Sequence, residues 1–319
     1  MAAVMIGVDP HKGSHTAAAI DEDEASLGGL RVRSGADQVD RLVAWAKAWP
    51  ERVWAIEGAG GLGYLLAQQL VAAGEKVLDV QPKLGARVRL LATESSNKND
   101  PNDARSVAVA ALRSPSPTVV VAEDHAAVMK LWGKRHRDLG RLRNKVACRL
   151  HSVLCDLVPG GISGEIYASP VAKLLDELEP QGAVATAHHE LAGEMLADLR
   201  RLDIQLRDSK KRLVQAVAAS GTTTTELFGV GPIIATMVLG ITGDVARFGN
   251  RDRFAAYNGT APIEVSSGNR KVYRLSRRGN RQLNHAIHMA AVTQIRHRHS
   301  EGRAYYDRKI ARERLARRL

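Results

Sequence analysis

Three short apolar runs follow one another at the start of the chain with no helical pattern between them: Val4 to Asp9, His15 to Ile20 and Gly29 to Arg33. That succession most constrains the fold. Val4-Met5-Ile6-Gly7-Val8-Asp9 reads as a buried strand ending in an acid, and the next two runs follow as strands of a meander. The period then changes. Val39, Leu42, Val43 and Ala46 recur at helical spacing, predicting a helix over 37–48. Arg52 to Glu57 is strand-like and again ends in an acid. Gly58 to Gly63 reads as a turn, Tyr64 to Ala73 as a helix, Glu75 to Val80 as a strand, and Pro82 to about Leu91 as a helix. With one more helix behind Asp100, the order is βββαβαβα, an α/β pattern of hairpins first and crossovers later.

Ser95-Ser96-Asn97-Lys98-Asn99-Asp100-Pro101-Asn102-Asp103-Ala104-Arg105 opens that last helix. Asp100 and Asp103 lie three residues apart and share a helical face. Taken alone, this is a good helix start, with Asp100 as N-cap, Pro101 in the first turn and Asp103 at the positive end of the dipole. Together with Asp9 and Glu57 at strand ends it reads differently. The element order is that of RNase H-like nuclease folds, which gather carboxylates from the first strand, a central strand and a late helix at one end of the sheet. Asp9, Glu57, Asp100 and Asp103 occupy those places. Hard oxygen ligands suit Mg²⁺ or Mn²⁺, and two such ions, roughly 3.5–4 Å apart, clamp the attacking and leaving oxygens of a phosphodiester. A sugar kinase or actin-like ATPase shares the opening strand and hairpin, with Gly58-Ala59-Gly60-Gly61-Leu62-Gly63 as its phosphate loop. That reading leaves Asp100 and Asp103 without a task.

Charge is unevenly spread. Residues 1–124 carry 13 Lys/Arg and 16 Asp/Glu, whereas residues 125–319 carry 33 and 18. The last fifty residues alone hold 15 basic and 3 acidic side chains. A cationic half joined to a carboxylate-bearing half points to a polyanion, above all nucleic acid, beside a metal site. Cys148 and Cys155, seven apart on one predicted helix, have core spacing rather than that of a zinc or disulfide framework. No apolar run reaches membrane-spanning length and no signal peptide is visible, so the expected location is cytosolic.

Residues 125–220 are predicted as a helical arm. His125 to Val158 forms one helix, with Leu131, Leu139, Leu142, Val146, Leu150, Val153 and Leu157 on its apolar side. After Pro159-Gly160-Gly161 come a short helix over 170–178 and a second long helix from His188 to Ala219. In the latter, Ala192, Met195, Leu199, Leu202, Leu206, Ser209, Leu213 and Ala216 make a heptad seam. The spacing predicts an antiparallel coiled-coil pair, with the seam internal or shared between subunits. His136, His151, His188 and His189 lack ligand spacing and read as surface or satisfied core residues. In residues 221–319, Gly229-Val230-Gly231-Pro232 precedes a helix over 233–239. It fits equally a helix-hairpin-helix phosphate site and a tight turn between packed helices. A short helix over 248–257 leads into Ser266-Ser267-Gly268, where a serine sits in a loop with Arg270, Lys271, Arg274, Arg277, Arg278 and Arg281. On composition it is a phosphate-contacting or simply polar serine, with nucleophile as the sharper alternative.

Asp9-Pro10-His11-Lys12, Glu57-Gly58, the run over 97–105, Gly229 to Pro232, and Tyr257-Asn258-Gly259-Thr260-Ala261-Pro262 through Ser266-Ser267-Gly268 together resemble the DEDD-type insertion-sequence transposases, relatives of Piv-type DNA invertases. The resemblance spans residues 4 to about 310. It implies a RuvC-like domain over 1–124, the arm over 125–220 and a mainly α transposase domain over 221–319. It implies Asp9, Glu57, Asp100 and Asp103 as Mg²⁺ ligands, Mn²⁺ substituting, and Ser267, rather than Ser266, as a nucleophile that holds DNA as a phosphoserine. Lys12, Lys98, Arg105, Gly229, Gly231 and the C-terminal arginines and lysine named above are its expected nucleic-acid contacts. The implied partners are donor DNA, target DNA and a bridge RNA that selects sequence by pairing. The implied assembly is a dimer that forms a tetramer with composite sites, in the nucleoid-associated bacterial cytoplasm. A hydrolytic RuvC-like nuclease and a non-catalytic RNA-binding protein are the alternatives. The family pattern continues past a Tyr-Tyr pair, here Tyr305-Tyr306, into a further basic helix, and this sequence is short at that end.

Overall fold

The computed structural model describes residues 4–91, 99–115, 117–268, 270–276 and 279–316. The chain forms two compact units, Met1–Glu123 and Asp124–Leu319. The first runs β1 (Val4–Pro10), β2 (Ser14–Ile20), β3 (Ser26–Arg33), α1 (Gln38–Ala46), β4 (Arg52–Glu57), α2 (Tyr64–Ala72), β5 (Val77–Val80), α3 (Pro82–Leu91), α4 (Asp100–Leu112) and β6 (Thr118–Val119). The sheet order is β3-β2-β1-β4-β5-β6. β1, β2 and β3 form an antiparallel meander, β4 and β5 run parallel to β1, and β6 closes the edge antiparallel to β5. This is the RNase H-like arrangement that the order of apolar runs predicts. β6 has no sequence signal, because two residues carry no period.

Strand alternation sends the two faces into separate cores. Ile6, Val8, Trp54 and Ile56 pack with Leu42 of α1 and Leu66 and Leu70 of α2. Met5, Ala55, Leu78 and Val80 face the other way, against Val107, Ala108 and Ala111 of α4. The closest approach in this second layer is at Gly7. A Cβ on Gly7 would lie 2.1 Å from the carbonyl oxygen of Ala104 and 2.5 Å from the amide nitrogen of Ala108. Backbone therefore lies directly on backbone, and α4 is fixed across β1. The N-cap of α4 is Asn99, whose side chain accepts from the Asn102 amide at 2.9 Å. The sequence expectation of Asp100 as the cap is corrected by one residue, and Asp100 and Asp103 both sit inside the first turn.

The second unit contains α5 (His125–Leu157), α6 (Ala168–Glu177), α7 (Ala183–Ala219), α8 (Pro232–Thr242), α9 (Arg251–Asn258), β7 (Pro262–Ser267), β8 (Arg270–Leu275), α10 (Arg281–Arg296) and α11 (Glu301–Ala316). α7 begins five residues before the predicted His188. It packs antiparallel on α5, with the His136 Nδ1 and Ser209 Oγ in hydrogen-bond contact at 3.2 Å and Arg143 Nε donating to Asp203 Oδ1 at 2.9 Å. The guanidinium of Arg212 lies 4.7 Å from the centre of the Trp132 ring. The heptad seam is thus satisfied within the chain: Ala192, Leu199, Leu202, Ser209 and Leu213 are buried. Two expectations about α5 are overturned. Cys148 and Cys155 are exposed, and Leu131 and Leu142 also face solvent. Leu139 and Leu150 of the predicted side are buried, joined by Met129, Gly133, Ala147 and Leu154, and Val146, Val153 and Leu157 pack against the core. The small residues among them let the partner helices approach closely.

Replacing Gly7 with alanine pushes a methyl group into the α4 backbone. The expected cost is about 1–3 kcal/mol, read as a lower denaturation midpoint, together with loss of the α4-borne acids from their place. Unchanged stability would show that α4 does not rest on this strand as described.

Candidate metal centre

β1 and β4 are parallel neighbours in the register Gly7↔Ala55 and Val8↔Ile56. The next positions are Asp9 and Glu57. By alternation both lie on the α4 side, two residues beyond Gly7 and Ala55. α4 crosses β1 at Gly7 through Ala104 and Ala108, so its first turn, carrying Asp100 and Asp103, covers the same end of the sheet. Asp9 lies within electrostatic reach of Asp100 and Asp103, and Glu57 within reach of Asp9 and Asp103. Asp9 is 5 % exposed, and burial pushes its carboxyl up. The nearby His11 opposes that rise, and Asp103 and Asp100 add to it. Glu57 is likewise pushed up, first by burial and then by the neighbouring Asp9. Crowded carboxyl groups resist ionising together. A divalent cation relieves that repulsion, so the donor set fits a hard metal ion.

Three cationic or potentially cationic side chains frame the acids. Arg89 of α3 pairs with Asp103, Arg31 of β3 lies 3.4 Å from Asp100, and His11 Nδ1 lies 3.6 Å from Asp9 Oδ2. Ligand atoms of Asp9, His11 and Asp100, one from each, lie within 4.8 Å of one another. His11 and Arg89 are absent from the sequence-derived site. His11 had a signal, since Asp9 and His11 stand two apart at a strand end and so share a side. Arg89 had none, because its partner comes from another helix. The alternative phosphate loop is excluded as a cradle by its own hydrogen bonds. The Gly58 amide donates to Val80, that of Ala59 to the Asp79 carboxylate, and those of Gly61 and Gly63 to the Gly58 carbonyl. These donors are turned inward.

The remaining expected contacts are scattered. Lys12 is exposed in the turn between β1 and β2. Arg105 donates to the Glu24 carbonyl at 2.9 Å, which gives it a structural task in place of a free contact. Lys98, Arg277 and Arg278 lie outside the described residues. In the second unit Gly229 has φ +85°, and a Cβ there would lie 2.8 Å from the Ala290 carbonyl of α10. Its glycine serves close packing, which favours the tight-turn reading. Gly231 is the N-cap of α8. Ser267 pairs with Arg270 at the end of the β7–β8 hairpin, beside Gly268 at φ +57°, where the sequence suggested a loop. Ser266 pairs with Lys271 and points to the opposite face. Both serines, Arg270, Lys271, Arg274 and Arg281 are exposed, and Lys271 lies 3.7 Å from Glu264. Among the described residues no base hydrogen-bonds to either serine hydroxyl.

Two stretches of the chain match known protein families. Residues 6–159 match the IS110 DEDD transposase family, and residues 222–307 match the transposase IS116/IS110/IS902 family. The chain is 25% identical over 352 residues to an uncharacterized 44.8 kDa protein of insertion element IS116 from Streptomyces clavuligerus, covering 96% of this chain and 88% of that protein. It is 26% identical over 368 residues to an uncharacterized 42 kDa protein of insertion element IS900 from Mycobacterium paratuberculosis, covering 96% and 89%. Thermus thermophilus RuvC in complex with a Holliday junction substrate aligns with a TM-score of 0.30 at 18% identity, over 37% of this chain and 99% of that one. Residues 6–159 and 222–307 are thus similar, in that order, to the DEDD domain and the second transposase domain of the IS110/IS116/IS902 families.

Proposed function

We propose that this protein cuts and rejoins DNA through a covalent phosphoserine, guided by a non-coding bridge RNA. The observation that carries the cutting half is the convergence of Asp9, Glu57, Asp100 and Asp103 on one sheet end, in a domain matching DEDD transposases. When bound there, Mg²⁺ or Mn²⁺ supplies Lewis acidity toward the phosphate and the departing 3′ oxygen. Asp9, Glu57, Asp100 and Asp103 would hold the ion, with His11 as a nitrogen donor, and Arg89 keeps Asp103 in place. Ser267 Oγ forms the new bond to phosphorus as the P–O3′ bond breaks. The hydroxyl proton leaves to a base, and the freed 3′ oxygen takes up a proton. Attack by another strand's 3′ hydroxyl then releases the serine. Arg270, Arg274 and Arg281, exposed near this hairpin in sequence, support backbone contact with DNA or RNA. Dimers assembling into tetramers, with acids and serine from different subunits, complete the proposal, as does a bacterial cytoplasmic location.

One observation favours a second reading. Neither serine hydroxyl has a base hydrogen-bonded to it among the described residues, which suits hydrolysis by water at the acidic site. A single experiment separates the two. Protein, the element's non-coding RNA, Mg²⁺ and labelled donor and target DNA are run on a denaturing gel. A labelled protein–DNA band that vanishes in Ser267→Ala supports the serine. Cleaved DNA without such a band assigns the chemistry to water.

Two further outcomes follow from the electrostatics. A carboxyl whose folded pKa is raised binds protons more readily folded than unfolded, so it costs stability above the folded value and the cost disappears as pH falls below it. Asp9→Asn should therefore raise the melting temperature of the metal-free protein at pH 8, by roughly 2–4 °C, the shift that about 1 kcal/mol produces in a sizeable domain. That advantage should shrink toward pH 4, while Mg²⁺-dependent strand cleavage drops by at least about a hundredfold. A lower melting temperature at pH 8 would contradict the like-charge crowding. Imidazole prefers softer ions than carboxylate does, so His11→Ala should weaken Mn²⁺ binding about tenfold in titration calorimetry and leave Mg²⁺ binding nearly unchanged. Equal losses for both ions would remove His11 from the ligand set.

A further inference from the structure

Lys130, Lys134, Arg137 and Arg141 recur along α5 at intervals of four, three and four residues, and so lie along one side of the helix. The stripe spans about 16 Å of helix axis. α8 lies close beside it: a Cβ on Gly133 would be 3.1 Å from the Thr236 methyl, and one on Gly240 would be 2.6 Å from the Lys130 amide nitrogen. The two helices, with Tyr257 of α9 and the start of α10, enclose a cleft of about 300 Å³. Met129 and Met237 contribute to its apolar lining, and the four cations line it as well. The one carboxylate in the lining, Asp138, is engaged by Arg141 at 3.7 Å.

Arg137 is the anomaly. Its Nε is buried and has no hydrogen-bond acceptor among the described residues. Burial and the neighbouring Arg141 act against its charged form, and Asp138 supports it. A buried donor nitrogen short of an acceptor is a cost to the free protein. It is explained if an anion completes the arrangement when bound, and a guanidinium fork matches phosphate oxygens bidentately.

We propose that this cleft binds a backbone phosphate of a nucleic-acid strand, with Arg137 as its buried donor, Lys130, Lys134 and Arg141 engaging the flanking charge, and the apolar lining with Tyr257 receiving the attached sugar or base. The proposal rests on the chain handling nucleic acid. It goes beyond that by locating a binding site away from both the acids and the serine hairpin.

The test measures fluorescence anisotropy of labelled single-stranded RNA, single-stranded DNA and duplex DNA on the full chain, alongside thermal melting with and without inorganic pyrophosphate. Arg137→Gln is expected to weaken binding of at least one of these strands about tenfold and to lower the salt dependence by about one phosphate contact. The three strands show which nucleic acid the cleft takes. The same variant should melt no lower than wild type and should lose the pyrophosphate-induced shift. Arg137→Lys, which keeps the charge and loses the fork, should fall between the two. Oligonucleotide binding equal to wild type in Arg137→Gln would overturn the placement and leave the nucleic-acid reading standing. A pyrophosphate shift that depends on Arg137, with no oligonucleotide binding by wild type, would uphold the phosphate cleft and sink the nucleic-acid reading. A variant that unfolds would assign Arg137 a structural role and overturn the proposal.

Discussion

The contact between the backbone of β1 at Gly7 and that of α4 at Ala104 and Ala108 governs the first unit. The sheet alone brings together only Asp9 and Glu57, because neighbouring parallel strands deliver equivalent positions to the same edge. The other two acids come from a helix distant in sequence, and a helix can slide or tilt on an apolar surface. Having no side chain on the strand and only methyl groups on the helix at the crossing eliminates that freedom. One depth and one position of α4 satisfy the packing. The position of the carboxylates thus follows from an absence of volume one turn away.

Inside that frame the electrostatics are unfavourable by construction. Burial and the neighbouring acids raise the pKa of Asp9 and of Glu57, and Arg89 offsets only part of that rise. Structural ion pairs elsewhere are arranged differently. Arg52 faces Glu75 one to one, and the Trp54 indole adds a further donor to that carboxylate at 2.8 Å. The contrast separates a site that awaits a cation from one that already holds its own.

Much of this was legible in the sequence because it is local. Strands that end in Asp9 and Glu57, the order of hairpins and crossovers, and a helix opening at Asp100 follow from periodicity and turn residues within short windows. What failed was non-local. Heptad spacing correctly placed Cys148 and Cys155 on one face of α5, but spacing cannot say which face is covered, and this one is not. Hydropathy favoured Leu131 and Leu142 over Gly133 and Ala147, although small residues are what a close helix crossing selects. The cap moved from Asp100 to Asn99 because both side chains can accept an amide hydrogen bond and only the backbone decides which is used. The inward hydrogen bonds of the Gly58 to Gly63 turn depend on Asp79 and Val80, residues that no reading of the glycines alone includes.

The pairing of α5 with α7 bears on motion. A helix packed through a heptad seam can slip along its partner by one repeat, about 10 Å, and recover much of its apolar packing. Here the slip is opposed by polar pins between the two helices: Arg143 on Asp203 and His136 on Ser209. Both would be broken by a shift, and the Arg143 side chain, only 13% exposed, would lose its carboxylate partner. The pair therefore behaves as a strut of fixed length. It can carry a rotation from one end to the other, but it cannot work as a ratchet.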